Sequence, residues 1–237
     1  VILRPWAADR TLNADERRRL RLDEPGACVY VKPANGFSGL GVVRIDRTDT
    51  DGLAAALAAA RNHDRREAYL IQREVRPPLL TCDDGADRPA YWRILSYLGE
   101  LTPFWWGAQQ SVGQGRPSYR LLTPHEVWRL RLQPVLAYAR MLRELSGLEW
   151  FSTELCLGDG PEECRFTAPT ADGQARPVLA IDYLNDQCDV DVQSRWAGAP
   201  PDDVVRGYAC RFARTAWEIK QAKTRRAEGI VPLRMAA

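Results

Sequence analysis

Residues 27–45, ACVYVKPANGFSGLGVVRI, set two short apolar runs on either side of a lysine, a proline and a glycine-rich stretch. Short apolar runs bounded by glycine and proline are strand signals, so the unit reads as strand, glycine loop, strand. Gly36, Gly39 and Gly41 leave backbone amides open to an anion, and Lys32 closes the first strand beside them. Of 33 basic residues only Lys32, Lys220 and Lys223 are lysines; an ammonium is a compact point charge that a guanidinium does not replace at a phosphate. A strand rather than a helix follows the glycines, with no GK[ST] and no GxGxxG, which excludes the Walker loop and the dinucleotide fingerprint. The competing structural reading is a plain hairpin turn, with Lys32 reaching solvent and Phe37 packing on the sheet.

The remaining chain alternates helices with strand pairs. LNADERRRLR at 12–21 predicts a short helix capped by Asn13. Residues 51–61 favour a helix, and 68–75 a strand. After a turn-rich patch at 77–89, YWRILSYLG and LTPFWWGAQQ read as antiparallel strands joined at Gly99 and Glu100. Residues 111–125 read as a loop over a pocket, 126–146 as a helix interrupted near Pro134 and stopped by Gly147, and 151–157 and 177–185 as two further strands. A last helix covers 202–227. The fold class is α+β in two lobes, 27–76 and 77–237, with 1–26 a remnant of, or linker to, an upstream domain that is apparently absent. That leaves room for an upstream domain or a homodimer partner.

Composition excludes more than it selects. The 237 residues carry a formal charge of +2, too balanced for a nucleic-acid or anionic-membrane partner. No run is long and apolar enough for a transmembrane helix. The six cysteines contain no C-x-x-C pair, and His63 and His125 are the only histidines, so a structural zinc site is not expected. Reduced thiols in a cytoplasmic protein are.

A second chemical signal lies at 178–186, VLAIDYLND, an apolar strand ending in two carboxylates and an amide. Burying these is costly unless cations or donors meet them. Magnesium, which prefers oxygen donors, suits Asp182 and the Asn185 carbonyl, with Glu154 on the preceding strand as a third candidate. The competing reading makes Asn185 and Asp186 a polar turn.

The order VYVKPANGFSGLGVVRI, YLIQREV, WRIL, FSTELCL, VLAIDYLND resembles the ATP-grasp superfamily, particularly bacterial carboxylate–amine ligase-like and spore-coat-associated members, over residues 27–195. The resemblance implies antiparallel sheets with ATP and Mg2+ held between two lobes. It makes Lys32 the phosphate-binding lysine, and Gly36, Ser38, Gly39 and Gly41 the loop that closes over the phosphates. Gln72, Arg73, Glu74 and Val75 become the segment bordering adenine, with Glu74 toward ribose. Arg93 matches an arginine directed at the transferred phosphoryl group, and Arg195 falls where relatives bind a substrate carboxylate. Glu154, Asp182, Asn185 and Asp186 become the metal donors. Many relatives space the acid and the amide as E-x-N where this chain has D-x-x-N. Either Asn185 takes the amide position after a local bulge, or Asp186 has taken over.

The implied reaction is ATP-dependent joining of a small-molecule or peptide carboxylate to an amine through an acyl-phosphate, catalysed by Lys32, Arg93 and Arg195. Two alternatives stay open: an ATP-grasp kinase that phosphorylates an alcohol, and a catalytically weak nucleotide-binding structural protein.

Overall fold

The computed structural model describes residues 2–3, 12–34, 41–46, 52, 54–55, 58, 68–107, 119–159, 164–170, 173–185 and 202–227. These divide into two units at Arg76 and Pro77.

In the first unit, strands β1 (Ile2–Leu3), β2 (Val29–Pro33), β3 (Val43–Ile45) and β4 (Tyr69–Arg73) form an antiparallel sheet in the order β1-β4-β2-β3. Alternation along β2 and β4 sends Val29, Val31, Tyr69 and Ile71 to one face, where Ile45, Leu20 and Leu22 complete a buried cluster. The helix Ala14–Arg19 starts at Asn13, whose side chain accepts from the Glu16 amide while Glu16 answers the Asn13 amide, a reciprocal cap. Ahead of β2, the described residues Ile2–Leu3 pair with β4 as an edge strand, and Leu20 and Leu22 enter the core of this unit. Of 51–61, Gly52, Ala54, Ala55 and Ala58 are described and are helical.

The second unit is a six-stranded antiparallel sheet in the order β11-β12-β10-β7-β8-β9. Its strands are β7 (Tyr91–Tyr97), β8 (Glu100–Trp106), β9 (Tyr119–Leu121), β10 (Trp150–Leu157), β11 (Thr167–Pro169) and β12 (Ala175–Asn185). One face buries Trp92, Ile94, Trp105, Leu155, Leu157 and Val178 under Val135 and Ala139 of the helix Gln133–Ser146. On the other face Leu95, Tyr97 and Phe104 receive Tyr208 from the start of the helix Asp202–Ala227.

The expected interruption near Pro134 appears as two helices, Pro124–Arg129 and Gln133–Ser146. Pro134 sits in the first turn of the second, where a missing amide costs nothing. Gly147 ends that helix at φ 68°. The β7–β8 turn falls one residue earlier than expected, on Leu98 and Gly99 at φ 47° and 86°, both positive as a tight hairpin of this hand requires. The 77–89 patch folds into a small hairpin, β5 (Leu79–Thr81) with β6 (Asp87–Pro89). The expected 111–125 loop contains β9. Cys28, Cys82, Cys156, Cys164 and Cys210 are free thiols. Among the described residues no helix is long and apolar enough to cross a membrane.

Candidate active site

Three neighbouring strands of the second unit set out the acidic centre. β10 pairs antiparallel with β7 so that Glu154 opposes Arg93, and with β12 so that Glu154 opposes Asp182 and Ser152 opposes Asn185. Leu155, Cys156 and Leu157 face Ala180, Leu179 and Val178 in regular register, which then slips twice, between Leu155 and Glu154 and between Glu154 and Ser152. Each slip adds one residue to β12, so Leu179, Asp182 and Asn185 meet the alternate β10 positions Cys156, Glu154 and Ser152. A spacing of three does the work of a spacing of two. A bulge also leaves backbone polar groups without ladder partners, and Thr153 Oγ1 donates to the Asp182 carbonyl at 2.9 Å.

Glu154 and Arg93 on this row are nearly closed from solvent, and Asp182 is half-buried. Glu154 keeps 8% and Arg93 12% of its side-chain exposure, low enough that each must be met by charge or hydrogen bonds. Arg93 Nη1 lies 3.9 Å from Glu154 Oε1, and Arg93 Nε donates to Ser152 Oγ at 3.2 Å. The Tyr91 hydroxyl donates to Glu154 Oε2 at 3.3 Å. Burial, then the neighbouring Glu154 charge, pushes the Tyr91 hydroxyl well above its ordinary range, which keeps it a donor. Alternation in FSTELCL puts Ser152 on the face of Glu154 from the sequence alone, whereas Tyr91 stands in no motif. The available signal for Tyr91 was the same alternation, since it is two residues before Arg93.

The first unit presents another set. Tyr30 opposes both Arg44 and Gln72, and Lys32 opposes Leu70, so Lys32, Tyr30, Gln72 and Arg44 share the sheet face turned away from the buried cluster. Arg73 pairs with Val29 and belongs to the other face. Glu74 accepts from Arg44 Nε and Arg76 Nε, each at 3.0 Å, and its amide donates to the Cys28 carbonyl at 2.8 Å. Burial alone would raise the Glu74 carboxyl; the two guanidiniums outweigh it and hold it below the ordinary carboxylate value. Gly41 precedes β3 at φ 73°, a left-handed conformation that suits glycine. Val75 follows β4 at partial exposure. Gly36, Ser38, Gly39, Asp186 and Arg195 lie outside the described residues.

Among the described residues no group of three or more His, Cys, Asp and Glu side chains could hold a metal ion alone. Mg2+ does not require one, since it is usually held by one or two carboxylates together with substrate phosphates and water. Glu154 and Asp182 at opposed positions, with Asn185 one ladder step on, fit that oxygen-rich chemistry.

No protein-family model matches the chain. Several curated relatives do. The D-alanine–D-alanine ligase of Nocardia farcinica is 41% identical over 88 residues, 36% of this chain and 22% of the ligase. Those of Mycobacterium sp. strain KMS and Mycolicibacterium smegmatis are 44% and 43% identical over 88 residues, again 36% of this chain and 21% of each ligase. The match thus spans about a fifth of the length of these relatives. The crystal structure of D-alanyl-alanine synthetase A from Vibrio cholerae aligns with 77% of this chain and 49% of its own, at 14% identity and a TM-score of 0.39. D-Alanine–D-alanine ligases belong to the ATP-grasp superfamily, so the resemblance drawn from the motifs stands, including its carboxylate–amine ligase branch.

Proposed function

We propose that this chain, which resembles the ATP-grasp carboxylate–amine ligases, is part of an ATP- and Mg2+-dependent ligase that joins a small carboxylate to an amine through an acyl-phosphate. The observation that carries the reading is the ladder row Asp182, Glu154, Arg93, two oxygen donors and a guanidinium on adjacent strands. The relatives' shared name suggests an amino acid such as D-alanine as both acid and amine.

In this reading Glu154, Asp182 and the Asn185 carbonyl hold Mg2+, with Asp186 a further candidate donor. The ion, when bound, neutralises charge on the nucleotide phosphates. Lys32 and the loop amides of Gly36, Ser38, Gly39 and Gly41 hold phosphate oxygens. Gln72, Glu74, Val75 and the backbone of Arg73 border the adenosine. Glu74 accepts from two arginines, so a ribose hydroxyl would join an acceptor already fixed in orientation. The Arg93 fork meets oxygens of the transferred phosphoryl group as charge develops there. Its Nε bond to Ser152 fixes the guanidinium plane beforehand. Arg195 binds the substrate carboxylate. Neither nucleic acid nor membrane enters, and the setting is cytoplasmic, with an upstream domain or a second copy available to complete the acceptor side.

The test is ADP and phosphate release by the full-length protein with ATP and Mg2+, with and without D-alanine and other amino acids. Release that depends on an amino acid, with a dipeptide or amide as product, is expected. A phosphorylated alcohol as the stable product would replace ligation with kinase action, and tight ATP binding without turnover on any acid would remove catalysis.

A further inference from the structure

Glu154 raises a problem that its residue type does not solve. The last torsion of a glutamate side chain is broad and roughly two-fold, so an unrestrained carboxylate presents its two oxygens to a cation in many orientations. Two side chains of β7 flank this carboxylate at different oxygens, the Tyr91 hydroxyl at Oε2 and Arg93 at Oε1. The two contacts differ in length: the Tyr91 bond is 3.3 Å, whereas the arginine stands 3.9 Å away and already donates through Nε to Ser152. The Tyr91 ring is itself held, packing on Trp106 with centroids 5.1 Å apart and planes tilted by 53°.

We propose that Tyr91 is a positioning residue for the metal centre: its hydroxyl, donating to Glu154 Oε2, sets the plane in which the carboxylate meets a divalent cation. The inference rests on the reading of Glu154 as a metal donor. It divides labour on β7, with Arg93 facing the phosphoryl group and Tyr91, two residues earlier on the same face, serving the metal. Partners that orient a metal's ligands are worth about 10- to 100-fold in metal affinity when removed.

The experiment compares the full chain with its Tyr91→Phe variant, which keeps the ring on Trp106 and removes one oxygen. Mn2+ replaces Mg2+, and free Mn2+ is followed by electron paramagnetic resonance during titration in the presence of a non-hydrolysable ATP analogue. Tyr91→Phe is expected to weaken Mn2+ binding about 10-fold, with analogue affinity in the absence of metal unchanged. Excess Mn2+ should restore turnover, which a merely structural lesion would not allow. Mn2+ affinity within twofold of the parent would overturn the positioning role while leaving the ligase reading intact. Glu154→Gln separates the two failures: if it too binds Mn2+ like the parent, Glu154 is not a donor and both proposals fall. Should Tyr91→Phe not fold, Trp106→Phe loosens the ring while leaving the hydroxyl; a several-fold loss of Mn2+ affinity supports the role, and none counts against it.

Discussion

At the scale of single residues, the most deeply buried charge among the described residues is Glu126, whose side chain is 0% exposed. It accepts from the Arg120 guanidinium, from the Asp83 amide at 2.9 Å and from the Thr123 amide at 3.1 Å, and so ties the β5–β6 turn and β9 to the start of the helix Pro124–Arg129. Burial by itself would raise this carboxyl; Arg120 and the two amides outweigh it and hold it below its ordinary value of 4.5. A depressed carboxyl contributes stability that is present above 4.5 and disappears as pH falls through the folded value. Glu126→Gln should therefore cost about 3 kcal/mol at neutral pH, the low end for a broken buried pair because Arg120 retains 29% exposure. The variant should also show a flatter fall in urea midpoint on acidification. A parallel acid profile for parent and variant would mean that Glu126 is not the group responsible.

At the scale of elements, the decisive feature is the pair of bulges in β12. D-x-x-N looks mis-spaced against E-x-N only if the strand is regular; with one extra residue between Asp182 and Asn185, the two still occupy alternate ladder positions opposite Glu154 and Ser152. Deleting Leu184 should remove a bulge and leave Asn185 opposite Ser152, so nucleotide-dependent Mn2+ binding is expected to stay within about tenfold of the parent, the lower edge of the loss for a disturbed metal shell. Inserting an alanine after Leu184 moves Asn185 one ladder position away from Ser152, and should abolish its contribution. Equal binding by both variants would show that Asn185 is not a donor. The same bulges explain Thr153, a buried threonine whose hydroxyl bonds a strand carbonyl where regular pairing would leave it no such role.

At the scale of the whole molecule, each unit closes its own core, around Ile71 in the first and Ile94 in the second, exposed by 1% and 0%. Ile71→Ala and Ile94→Ala should each cost about 2–5 kcal/mol. Hydrogen exchange should then quicken in β2 and β4 for the first and in β7 and β10 for the second. Quickening across both units in either variant would contradict separate cores. What the amino-acid order determined alone was local: the strand runs at 29–33, 91–97 and 151–157, the Asn13 cap, the Gly147 stop and the last helix, because each depends on spacing or on a residue's own conformational preference. The small hairpin at 79–89 and β9 escaped because proline- and glycine-rich segments satisfy turn signals whether or not short strands lie between them. Residue chemistry also nominated Glu154 and Asp182, and the family resemblance nominated Arg93. Only tertiary structure decided that they share one row, that Asn185 keeps step through a bulge, that Tyr91 reaches Glu154 and that Ser152 accepts from Arg93. Register is a relation between strands some sixty residues apart for β7 and β10, set by which faces bury together, and no local spacing encodes it.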